Sequence, residues 1–118
     1  MDYDQLKTML GSVVPFANHV GVEITDITAG AASATLPEAP HLLNHVGTQH
    51  AAALYAVAEA ASGAAMAGLI ADVLMSVTPL AKTASIRYLK PARGPITATA
   101  RIDGYATTMR ARLDESGK

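Results

Sequence analysis

The stretch that most constrains this chain is residues 51–71, which contain no proline and only one charged side chain, Glu59. Ala, Leu and Met dominate it, and because these residues lose little freedom in a helix, the run predicts one long helix. It is apolar nearly all round, as expected of a helix buried against a sheet. By length it could also cross a bilayer. Its Ala and Gly content argues against that, as does Glu59, which at mid-bilayer would cost roughly 2.5–3.5 kcal/mol. A lone carboxylate in such a run needs either a partner or a chemical role, since burying an unpaired charge costs free energy or raises its pKa.

A chain of 118 residues with 50% hydrophobic and 16% charged residues can bury one core, which predicts a single domain over 1–118. The formal net charge of −1 offers nothing to a polyanion, so no nucleic-acid partner is expected. The chain has no cysteine, which removes disulfides and thiolate chemistry. The acidic start Met1-Asp-Tyr-Asp4 is unlike a secretory signal. The expectation is a cytoplasmic protein without a membrane partner.

Around the central run, the pattern predicts a short amphipathic helix from Asp2 to Leu10, stopped by Gly11. Residues 13–19 read as irregular, with Phe16, the one phenylalanine, plugging the core. Residues 20–28 and 31–36 read as strands joined by a hairpin at Ala29-Gly30, and Pro37 and Pro40 end the second. After a connector at 72–78, residues 82–90, 95–103 and 107–113 alternate. They predict a three-stranded meander with Ile96, Ala98, Ala100 and Ile102 inward and a turn at Asp103-Gly104. Asp114 to Gly117 reads as one more turn with no strand after it, so the sheet is expected to be one strand short or to leave an edge for a second copy. The fold class is α+β: an antiparallel sheet wrapped around one long central helix.

The order of elements, together with Asn44, Gly47 and His50 before the helix, Glu59 nine residues after His50, and the run from Ile86 to Gly94, resembles the hot-dog fold. Within it, the chain is most similar to acyl-CoA thioesterases of the phenylacetyl-CoA and 4-hydroxybenzoyl-CoA type. The resemblance implies that Asn44 binds or orients the thioester or the attacking water and that the Ala51 N–H polarises the carbonyl. It also implies that Glu59 is the base or nucleophile. The family often carries His-Gly-Gly at the helix start where this chain has His50-Ala51-Ala52, and a Ser or Thr assisting the acid has only Ser62 near its place.

The chemistry can also be reached from the residues themselves. The first N–H groups of a helix have no internal partners and lie at its positive end, which suits Ala51 as an oxyanion donor. Glu59 lies eight residues on, about 12 Å at 1.5 Å per residue, too far for both to meet one carbonyl. The two roles therefore fall to different subunits of a two-fold dimer with antiparallel central helices, which could pair further into a dimer of dimers. Tyr55, Ser62 and Gly63 surround Glu59 at helical spacing and are expected to line the substrate site. Arg87, Lys90 and Arg93 could meet the phosphates of coenzyme A, which enters as part of the substrate; no separate cofactor is expected. His50 reads as a capping and positioning residue, with a catalytic acid as its second reading. Among His41, His45 and His50 only His41 and His45 have the spacing of a helical ligand pair, and they sit in a proline-flanked loop, so no metal is expected. The expected activity is hydrolysis of a small-to-medium or aryl acyl-CoA. The alternatives are a non-catalytic hot-dog module that binds acyl thioesters or serves in assembly, and a hydratase, for which the required Asp and His pairing is not visible.

Overall fold

The computed structural model describes residues 1–103 and 106–116. Helix α1 (Tyr3–Val13) begins on a capping box: the Asp2 carboxylate accepts the Gln5 N–H at 2.8 Å, and the Gln5 side chain accepts the Asp2 N–H at 3.0 Å. Gly11 does not stop it, since one glycine costs a helix only about 1 kcal/mol. The stop is Val14, which precedes Pro15 and is held out of helical geometry at φ −112°, ψ 95°. Residues 13–19 are likewise not irregular: Pro15 takes the first position of a short helix, α2 (Pro15–Val20), where its fixed φ is an advantage. Gly21 closes α2 in the left-handed conformation at φ 90°. Phe16 on α2 does not plug the core and is 64% exposed.

The predicted hairpin forms, as β1 (Glu23–Thr28) and β2 (Ala31–Leu36) with Gly30 at φ 85° in the turn. A bulge between Ile24 and Asp26 interrupts their antiparallel ladder. The central helix, α3 (Ala51–Leu69), follows a one-turn 3-10 helix at Pro40–Leu42 and is followed by another at Leu74–Ser76. Strand β3 (Ile96–Arg101) pairs antiparallel with β2 over its whole length, giving the sheet order β1-β2-β3. Ile96, Ala98, Ala100 and Ile102 pack inward as expected.

Two of the three expected meander strands do not form. Residues 82–90 form no regular element, are exposed and pair with nothing in the sheet, because alternation supplies a face and not a hydrogen-bonding neighbour. Residues 107–113 instead lie in a helix, α4 (Ala106–Ser116). Met109 and Leu113 are four apart, so they satisfy a helical period as well as an alternating one. Asp114 to Ser116 continue α4 rather than turning, while Gly104 and Gly117 of the expected turns lie outside the described residues. α4 is tied to the loop after α3 by Arg110, whose guanidinium makes two 2.8 Å hydrogen bonds to Asp72 and one of 3.0 Å to Asp114.

Small residues set how closely α3 approaches the sheet. Ala53, Ala56, Ala61, Ala64, Ala65 and Gly68 are buried, and they face Ala32, Ala34 and Leu36 of β2 with Ala98 and Ala100 of β3. α3 is long and apolar enough to span a membrane, yet one whole side of it is used in this contact. At Gly68 the approach reaches its limit: an added Cβ would stand 2.2 Å from the Thr28 carbonyl oxygen and 2.8 Å from Ile27.

Gly68→Ala must therefore push α3 off β1, and a loss of about 1–3 kcal/mol is expected in a chemical denaturation measurement. Arg110 holds the Asp72 carboxyl below its ordinary value of 3.8 through their hydrogen bond. A lowered folded-state pKa gives a contribution that is full above 3.8 and disappears as pH falls below it. Hydrogen exchange should show α4 amides better protected at pH 6 than at pH 3, and Arg110→Ala should abolish that difference.

Candidate active site

The loop that leads into α3 is closed on itself. Leu43 and Gln49 form an antiparallel bridge, the Asn44 N–H donates to the Thr48 carbonyl at 2.8 Å, and the His50 N–H donates to Leu42 at 2.9 Å. Asn44 fills the interior of this loop. Its Oδ1 accepts the N–H groups of Val46 at 3.0 Å and Thr48 at 3.1 Å, and its Nδ2 donates to Thr48 Oγ1 at 2.7 Å. The Asn44 amide is thus directed at its own loop. Gly47 closes the same turn at φ 80°, a conformation glycine adopts without strain.

Gln49, to which the sequence reading assigned no role, is 2% exposed. Its Nε2 donates at 3.0 Å to both Pro37 and Gly94 carbonyls, joining the end of β2 to the turn before β3. The Gly94 N–H donates to the Glu38 carboxylate on the same seam. Gln49 Oε1 has no partner among the described residues. A polar amide directly before a helix cap was the only signal for it in the sequence.

His50 is the N-cap of α3, and its Nδ1 accepts the Ala52 N–H at 2.9 Å. The His50 carbonyl takes the N–H groups of Ala53 and Leu54. The Ala51 N–H is left without a hydrogen-bond partner among the described residues, at the positive end of the α3 dipole. Tyr88 donates its hydroxyl to the Ala51 carbonyl at 3.1 Å. This pins the segment that carries Arg87 and Lys90 to the helix start through Tyr88. Arg87, Lys90 and Arg93 are all exposed.

Glu59 is exposed, on the side of α3 turned away from the sheet. Ala51, Ala52, Tyr55, Ser62 and Gly63 are exposed with it, so the outward stripe runs from the free N–H past the carboxylate. Ser62 Oγ donates back to the Glu59 carbonyl at 3.0 Å and so does not engage the carboxylate. The stripe opens onto a groove of about 790 Å³ that Tyr55, Glu59, Ser62 and Gly63 help to line. Phe16, Leu54 and Met75 do not line this groove. His19 and His41 meet edge to face with ring centroids 6.3 Å apart. No group of three His, Asp or Glu residues gathers among the described residues.

Removing the His50 imidazole leaves the Ala52 N–H uncapped. His50→Ala is expected to lower stability by about 1 kcal/mol and His50→Asn to restore most of it, as read from thermal melts.

Comparison with solved structures returns the same architecture. PA5026 of Pseudomonas aeruginosa, described as a protein of unknown function and probable thioesterase, superposes with a TM-score of 0.75 at 24% identity, over 99% of this chain and 77% of its own. A candidate thioesterase from Shewanella oneidensis gives 0.67 at 24% identity, covering 86% of this chain and 74% of that one. The E. coli PaaI protein of the phenylacetic acid degradation operon gives 0.64 at 20% identity, covering 86% and 72%. No curated protein matches the sequence. With an antiparallel sheet packed on one long helix, these neighbours establish the hot-dog fold. The family model described as a domain of unknown function, DUF4442, matches residues 3–116, nearly the whole chain, and the protein is a member of that family.

Proposed function

We propose that this protein is an acyl-CoA thioesterase that works as a dimer with antiparallel α3 helices. The observation that carries the reading is the pairing, on one outward stripe of α3, of an unpartnered N–H at Ala51 with a carboxylate at Glu59. Thioester hydrolysis needs a donor where the carbonyl oxygen gains charge and a base or nucleophile at the carbon. The two groups lie about 12 Å apart along one helix, so one reacting centre takes each from a different subunit. In this arrangement the helices cross near Tyr55, midway between positions 51 and 59, and each dimer has two equivalent sites.

Asn44 then acts mainly by fixing the loop that presents the Ala51 N–H, since its amide is committed to Val46 and Thr48. Arg87, Lys90 and Arg93 supply positive charge for the coenzyme A phosphates at the end where Tyr88 meets Ala51. The thioesterase descriptions of two structural neighbours support the reading. Ala51 and Ala52 stand where relatives of this type often have glycines, and this keeps a binding-only protein as the second reading.

Against a panel of acyl-CoA thioesters with thiol detection, Glu59→Ala should reduce kcat by about 10²-fold or more. Undiminished turnover in that variant would remove Glu59 from the chemistry, and no turnover of any thioester by the unaltered protein would favour the binding-only reading. Mixed Asn44→Ala and Glu59→Ala subunits should regain activity from two weakened parents, up to about a quarter of the unaltered level, because one site of each heterodimer carries neither change. Heterodimers that form without any recovery would refute the shared site.

A further inference from the structure

The groove beside Glu59 has a definite direction. Its floor is α3, where only Tyr55 and Ala58 precede Glu59, and the exposed Gly63 with the buried Ala64 and Ala67 carries it toward the helix C-terminus. One wall comes from α1, α2 and β1, through Leu10, Gly11, Ala17, Val22 and Ile24. Residues 79–81 and 83–86 also line it, and Leu74 continues the lining beyond the end of α3. The carboxylate thus stands close to one end of a long apolar trough.

From Glu59 to Ala67 the floor measures about 12 Å. An extended hydrocarbon advances by less than one C–C bond, about 1.5 Å, per carbon, so the floor alone holds about eight carbons or more. Tyr55 is the sole aromatic residue among the described lining residues, and it lies behind Glu59. An aryl group is held best by ring partners in defined geometry, whereas Ala, Gly, Leu, Val and Ile give the non-directional contact that suits methylenes.

We propose that the groove is the acyl site and that it takes a linear aliphatic chain of about eight carbons or more, with the thioester at Glu59 and the tail running over Gly63 and Ala67 toward Leu74. The proposal rests on the thioesterase reading for its reaction but not for its binding. Gly11 provides the handle, because nothing lies within 4 Å of a Cβ added there. Because Gly11 also lines the groove, a phenyl ring at that position is expected to enter the trough.

The experiment combines a series from acetyl-CoA to hexadecanoyl-CoA with phenylacetyl-CoA and a titration of dodecanoate by displacement of a fluorescent fatty acid. It uses the unaltered protein, Gly11→Phe, Gly11→Leu and Glu59→Gln. The expected result is a kcat/KM that rises by up to about fourfold per methylene, equivalent to 0.8 kcal/mol, to eight carbons or beyond. Gly11→Phe should cut the ratio of dodecanoyl to butyryl turnover tenfold or more and weaken dodecanoate binding in parallel, with Gly11→Leu intermediate. Best turnover with phenylacetyl or two-carbon to four-carbon groups and no dodecanoate binding would overturn the proposal while leaving the hydrolase intact. Dodecanoate binding shared by the unaltered protein and Glu59→Gln, and weakened by Gly11→Phe, would sustain the acyl groove even if no thioester were cleaved.

Discussion

The close approach of α3 to the sheet is the contact on which the remaining structure depends. Alanines on both surfaces and Gly68 against the Thr28 carbonyl bring backbone near backbone, which allows many weak dispersion contacts in place of a few large side chains. The largest fully buried side chains among the described residues are Leu6, Leu36 and Val57. A helix held this tightly on one side has its rotation fixed. Ala51, Tyr55, Glu59 and Gly63 are therefore turned outward as a set, and the candidate site follows from the packing of residues that take no part in it.

The loop 44–50 is the second fixed element. Asn44 organises it from within, while Gln49 fastens it to the ends of two strands. His50 then satisfies the second N–H of α3, and the first has no partner among the described residues. Catalytic donors act by being held in place before the charge appears. Here the holding is done by side-chain amides and a cap whose positions derive from the sheet itself.

Much of this was legible in the residues. The proline-free run announced α3, Ala29-Gly30 announced the hairpin, and the inward set Ile96, Ala98 and Ala100 announced β3. What the sequence could not convey was partnership. Residues 82–90 alternate well but have no strand beside them in the chain, and residues 107–113 carry apolar side chains at a spacing that either structure accepts. Phe16 was expected inside on the strength of its type alone, yet its position on a short helix turns it to solvent. Glu59 was expected in apolar surroundings, and on its own chain it is exposed, since the apolar character of α3 is used on the opposite side.

The Tyr88 hydroxyl grips a main-chain oxygen and no side chain at the start of α3. That latch is blind to the identity of residue 51, so glycine and alanine are interchangeable there as far as anchoring is concerned. Drift at that position can then alter the room above the first amide while the segment that borders it keeps its mooring.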